Sequence, residues 1–189
     1  MIVPHKMFSA AAAPAAALLI AGLALAGSAQ AHGDKHEHGV VHLDVAVEGA
    51  TLVLQLESPL DSVLGFEHQP RTPEQRQAVE QMLKRLRDGA ALFSPNAQGG
   101  CRFEGAEIES ALIAAPGTPA SDKSDKAEHL DVDATYRFRC TATPALGQLT
   151  HQLFATFPRI QRIEAQVATP KGQHRQVLKR PTATLSLGV

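Results

Sequence analysis

The chain is 189 residues long and carries 18 Lys and Arg against 19 Asp and Glu, a formal charge of −1 at neutral pH. That near-neutral balance excludes the basic face that nucleic-acid binding requires and offers nothing for docking on anionic lipid. Aromatic residues are 4% of the total and Trp is absent, so there is little from which to build base-stacking or sugar-stacking platforms.

The first segment is a targeting signal by its pattern. Lys6 and the start amine form a weakly positive n-region, and Ala10 to Ala26 is almost unbrokenly apolar. Ala29-Gln30-Ala31 supplies the small-x-small pattern of a cleavage site. Pro14, Gly22 and an alanine-rich composition in a short stretch argue against a membrane-spanning helix. Cleavage after Ala31 leaves 158 residues, enough for one domain with a core of its own. No Cys near the cut offers a lipid attachment point, and no later segment is apolar enough to span a bilayer. The expectation is therefore an exported protein that does not insert into the membrane after signal cleavage.

Residues 32–39 follow as a polar arm with no core-forming pattern. From Val41 the alternation is strict: Val41, Leu43, Val45 and Val47 face one way, His42, Asp44 and Glu48 the other. Gly49-Ala50 turns the chain, and Thr51–Glu57 returns with Leu52, Leu54 and Leu56 on its apolar side, which predicts a hairpin. Ser58-Pro59 ends it. Thr72-Pro73-Glu74-Gln75 is a helix start, with Thr72 as N-cap, Pro73 in the first turn and Gln75 completing a capping box. Val79, Met82, Leu83 and Leu86 then recur at helical spacing, so one amphipathic helix is expected over about 73–88, stopped by Gly89.

Cys101 to Ala115 is extended and moderately apolar, and residues 116–128 form a polar loop. The next strand is the clearest in the chain: Leu130, Val132, Ala134, Tyr136, Phe138 and Cys140 point inward and His129, Asp131, Asp133, Arg137 and Arg139 outward. Further strands are expected at about Leu149–Phe157, Arg162–Thr169, Arg175–Leu178 and Thr182–Leu187. The class is α+β, a mostly antiparallel sheet or sandwich with one main helix, in a single domain over residues 40–189. Cys101 and Cys140 are the only cysteines. In an oxidising compartment the pair predicts one disulfide, closing a loop of about 40 residues and stabilising by roughly 3–4 kcal/mol.

The histidines carry the chemistry. Of nine, His32, His36, His38 and His42 fall in one short window with Asp34, Glu37 and Asp44. Imidazole and carboxylate are the usual nitrogen and oxygen ligands of zinc, and clustered histidines are a compositional sign of metal binding. Residues two apart on an extended chain share a face about 7 Å apart, so His36 with His38, His42 with Asp44, or His129 with Asp131 could reach one cation. Glu67-His68, in the loop before the helix, is a further pair able to converge in a turn. His151 and His174 lack acidic neighbours in sequence and are expected at the surface or in turns. No H-E-x-x-H, G-x-S-x-G or phosphate-cradling loop occurs, so a binding protein rather than an enzyme is expected. On the residues alone the cation could be zinc, copper or nickel; a non-metal adaptor docking on a transporter is the other alternative.

Several blocks together resemble a known family: Glu37-His38-Gly39 after the His-rich arm, Leu56-Glu57-Ser58-Pro59, Gly65-Phe66-Glu67-His68-Gln69-Pro70, Tyr136-Arg137-Phe138-Arg139-Cys140, Leu153-Phe154-Ala155-Thr156-Phe157-Pro158, and Gly172-Gln173. In order and spacing they resemble the ZrgA family of zinc-regulated periplasmic proteins of Gram-negative bacteria. The resemblance implies a periplasmic location, zinc as the bound ion, and a role in zinc acquisition or homeostasis beside an uptake transporter or its binding protein. It also strengthens His38, Glu67 and His68 as ligands. Family members often carry a long His/Asp/Glu-rich insert in mid-chain. Here the corresponding loop, residues 121–130, is short and holds one histidine, His129, with Asp122, Asp125 and Glu128, which favours a single site, or one site plus the arm, over a many-ion store.

Overall fold

Strands β1 (Val40–Glu48) and β2 (Thr51–Pro59) form the hairpin their alternation predicts, with His42 opposite Glu57 and Glu48 opposite Thr51. The inward set from Val41 to Leu56 is buried, and His42, Asp44 and Glu57 face solvent. The computed structural model describes residues 37–110, 112–113 and 130–188, all within one unit, Lys35–Val189. The expected signal segment, His32, His36, the polar loop over 116–128 and His129 lie outside the described residues.

A short helix, α1 (Leu60–Leu64), follows β2 directly and ends at Gly65, whose φ of 94° suits a residue with no Cβ. Helix α2 (Pro73–Arg87) starts as expected: the Thr72 hydroxyl accepts from Gln75 N at 3.2 Å, and the Gln75 side chain accepts from Thr72 N at 3.3 Å. Val79, Met82 and Leu86 are its buried stripe. The helix ends at Arg87, capped by Asp88, while Gly89 opens α3 (Gly89–Leu92). Gly89 is required there by packing: a Cβ would stand 2.5 Å from Phe103 and 2.7 Å from Tyr136.

The chain continues through β3 (Phe93–Pro95), β4 (Cys101–Ser110), β5 (Asp131–Cys140), β6 (Gln148–His151), α4 (Leu153–Thr156), β7 (Arg162–Thr169), β8 (Gly172–Lys179) and β9 (Thr184–Ser186). Six strands form one sheet in the order β4-β5-β2-β1-β7-β8, antiparallel except for β1 beside β7. A small second sheet runs β3-β6-β9. The inward residues of both sheets and the α2 stripe join in one core cluster. The opposite face of the large sheet is mostly polar, with Val177 of β8 exposed on it. This is the expected α+β architecture, and Cys101 and Cys140 are disulfide-bonded across paired positions of β4 and β5.

Two expectations are corrected. The apolar run Leu149–Phe157 is not one strand: β6 stops at His151, and Leu153, Phe154 and Phe157 bury one side of α4 at helical spacing. His151 is not at the surface but buried, with Nδ1 accepting from Leu153 N at 3.2 Å across the break. Burial lowers its pKa below the ordinary imidazole value, partly offset by the Thr182 backbone. An irregularity also hides β4 from pattern reading: a bulge at Glu104 switches the inward set from Cys101 and Phe103 to Ala106 and Ile108. Among the described residues no helix is long and apolar enough to cross a membrane.

Candidate metal centre

His38 and Glu67 lie 29 positions apart in the sequence, and three local devices bring them together. The first is the turn at Glu37–Val40, closed by Val40 N donating to Glu37 O at 3.0 Å. Gly39 lies in it at φ 80°. Its N–H donates to the buried Ser62 hydroxyl at 2.9 Å, and its carbonyl accepts from Gln161 N (2.7 Å) and Arg162 N (3.0 Å). The turn is thus tied both to α1 and to the start of β7. Glu37 adds an ion pair to Arg162 at 2.8 Å.

The second device is α1 itself, which places Asp61 beneath the turn. Arg159 grips Asp61 three times: Nη2 donates to both carboxylate oxygens at 2.8 and 3.0 Å, and Nε donates to the Asp61 carbonyl at 2.9 Å. The third is the reversal at Gly65, which returns Phe66-Glu67-His68 toward the turn.

The result is a close pair. His38 Nε2 stands 3.1 Å from Glu67 Oε1, with the imidazole 57% exposed and the carboxylate only 15%. On the other edge of the ring, Nδ1 is 3.8 Å from Asp61 Oδ2. The two nitrogens of one imidazole point in different directions, so Glu67 and Asp61 cannot both share one ion with it; Asp61, held by Arg159, lies near the Nδ1 edge of the ring instead. His68 stacks on Phe66 with ring centroids 4.9 Å apart, and its Nδ1 lies 2.9 Å from the Gln69 carbonyl. A carbonyl only accepts, so Nδ1 carries the proton and Nε2 keeps the lone pair that a metal needs. Among the described residues, no group of three or more His, Cys, Asp or Glu side chains is arranged to hold an ion.

Among the described residues the other expected ligands do not join this pair in a group of three or more that could hold an ion. His42 sits on the exposed face of β1, with Nδ1 3.9 Å from Glu164 on β7. Asp131 opens β5 opposite Pro59 of β2, and its carbonyl accepts from the Ser110 hydroxyl at 2.9 Å. His32, His36 and His129 lie outside the described residues. Sequence reasoning missed Asp61 and Arg159. Both adjoin blocks it had singled out: Asp61 follows Glu57-Ser58-Pro59, and Arg159 comes directly after Phe157-Pro158.

Compared with known families, residues 35–187 match the one described as "ZrgA family zinc uptake protein". The chain belongs to the ZrgA family. Membership gives the protein a zinc-related role, and it spans the turn, α1 and the Glu67 loop alike. No curated protein matches the chain.

Proposed function

We propose that this member of the ZrgA family is a periplasmic zinc-binding protein, not an enzyme, that buffers zinc or hands it to an uptake transporter. The observation that carries the reading is the 3.1 Å separation of His38 Nε2 and Glu67 Oε1. Two donors at about 2.0–2.2 Å from a tetrahedral zinc stand about 3.3–3.6 Å apart, so the pair need open by only a few tenths of an ångström to reach the spacing of two ligands of one ion. Nitrogen and oxygen donors suit zinc, and neither cysteine is free to favour a softer metal.

Two fold-borne ligands do not fill a tetrahedron. The remaining positions fall to water, to His68 or to the arm histidines His32 and His36. An ion held by few rigid donors exchanges readily, which suits a carrier better than a permanent structural site.

The test is a zinc titration of the full chain against a competing chelator. Wild type should take up about one equivalent or more at micromolar concentrations. His38→Ala and Glu67→Gln should each weaken the fold-borne site by roughly tenfold or more, the range seen when partners of a metal site are removed. A wild-type chain that binds no zinc would sink the proposal. Location is tested separately: osmotic shock should release a chain beginning at His32, and a cytoplasmic full-length chain would contradict export.

A further inference from the structure

The corner between α4 and β7, residues 157–162, is bonded to both carriers of the metal pair. On one side Gln161 N and Arg162 N donate to the carbonyl of Gly39, the neighbour of His38, at 2.7 and 3.0 Å. On the other side Arg159 donates to Asp61 of α1, through Nε at 2.9 Å and Nη2 at 2.8 and 3.0 Å. The Arg159 side chain also lies against Gly65, where the chain reverses toward Glu67: a Cβ on Gly65 would meet its Cδ at 3.6 Å.

Main-chain bonds alone leave this corner short of donors. Helix α4 has only four residues, and the last carbonyls of a helix lack partners within it. The Phe154 carbonyl would accept from the amide four positions on, but that residue is Pro158, which has no N–H. Arg180, directly after β8, supplies what is missing. Its Nη2 donates to the carbonyls of Phe154 at 2.6 Å, Pro158 at 2.9 Å and Phe157 at 3.3 Å, and its Nε donates to that of Ile160 at 2.7 Å. The guanidinium carbon lies 5.1 Å from the centre of the buried Phe154 ring, within cation–π range. Four carbonyls thus converge on one cation. A planar fork can meet them along two edges, whereas a Lys ammonium is a single point of donation.

We propose that Arg180 is a positioning residue for the metal pair. By gathering these four carbonyls it fixes the corner, and Arg159, Gln161 and Arg162 of the corner fix α1 and the Glu37–Val40 turn relative to each other. The separation of His38 from Glu67 follows from that. The inference deepens the reading of the pair as zinc ligands and rests on it. Its consequence is affinity: ligands already held in place lose less freedom when an ion binds.

The experiment compares full-length variants in a zinc titration against a competing chelator. Arg180→Gln should weaken zinc affinity roughly fivefold, within the range for substitutions that act on a site through intervening structure. Arg180→Lys should fall between it and wild type. Two readouts separate positioning from general support of the fold. Val47→Ala leaves a gap in the core at the far end of β1, about 23 Å from Val40; it should lower the melting temperature and bind zinc as wild type does. In the metal-free protein, the His38 imidazole NMR signals, assigned by their loss in His38→Ala, should move in Arg180→Gln and stay in place in Val47→Ala. Wild-type zinc affinity and His38 signals in Arg180→Gln would overturn the proposal, as would equal losses in Val47→Ala. Should Arg180→Gln fail to fold, Arg180→Lys decides, and wild-type values in it overturn the proposal. A wild-type chain that takes up no zinc defeats the zinc reading instead, and the metal-free His38 signals then decide the role of Arg180.

Discussion

Replacing Gly39 by Ala should loosen the metal pair from a position that touches neither ligand. Gly39 lies at φ 80°, and a Cβ there would stand 3.2 Å from both the Arg159 carbonyl oxygen and Gln161 Cγ. A left-handed backbone costs a non-glycine residue about 1–2 kcal/mol. The Arg159 oxygen is main chain and must shift by a few tenths of an ångström, straining a turn tied by three hydrogen bonds to Ser62, Gln161 and Arg162. Weakening one of them costs about 1 kcal/mol more. The total is about 2–3 kcal/mol, which in a domain of this size lowers the melting temperature by roughly 4–12 °C. The assay is thermal unfolding followed by circular dichroism, paired with a zinc titration. Gly147→Ala is the control: its φ is not left-handed, nothing lies within 4 Å of the added Cβ, and it should change stability by no more than about 0.5 kcal/mol. Gly39→Ala should also weaken zinc binding, because the turn carries His38. If it melts with the control and binds zinc as wild type does, the account of how the turn is held is wrong.

His151 should make stability depend on acid. Its folded pKa is depressed, so its contribution is complete above the unfolded value of about 6.5 and is lost as pH falls below that. Urea unfolding from about pH 7.5 to 5.5 should show this loss in wild type and a shallower one in His151→Asn; equal slopes would contradict it. Replacing Cys101 and Cys140 together by Ser opens a loop whose ends are 39 positions apart and should cost about 4 kcal/mol on the chain-entropy estimate, read as a drop in urea midpoint. Asp133 has a raised pKa, so ionising it opposes folding. Asp133→Asn should therefore be neutral to slightly stabilising at pH 7, with any gain vanishing as pH falls through the carboxyl titration; a marked loss at pH 7 would show a partner for this carboxylate.

The hairpin, the α2 capping box, the alternation of β5 and the disulfide were legible because each is written within one segment. Period and cap chemistry are local, and Thr72, Pro73 and Gln75 need no tertiary help to be recognised. What escaped was set by distant contacts. The Leu149–Phe157 run has the composition of a strand, but the break at His151 and the burial of Phe154 and Phe157 decide for a helix. The β4 bulge cancels its own periodicity. The parallel pairing of β1 with β7 leaves no local trace, and it is what brings Arg159 and Arg162 to the Glu37–Val40 turn. The site was half legible for the same reason. His38 and Glu67 could be chosen as residue types in marked blocks. Asp61, Arg159 and the Ser62 hydroxyl act only through the fold, as anchoring groups.

The most direct test is a crystal grown with zinc and measured at the zinc absorption edge. The account predicts an anomalous peak about 2.0–2.2 Å from both His38 Nε2 and Glu67 Oε1. Zinc peaks elsewhere on the molecule, with none between those two atoms, would contradict it.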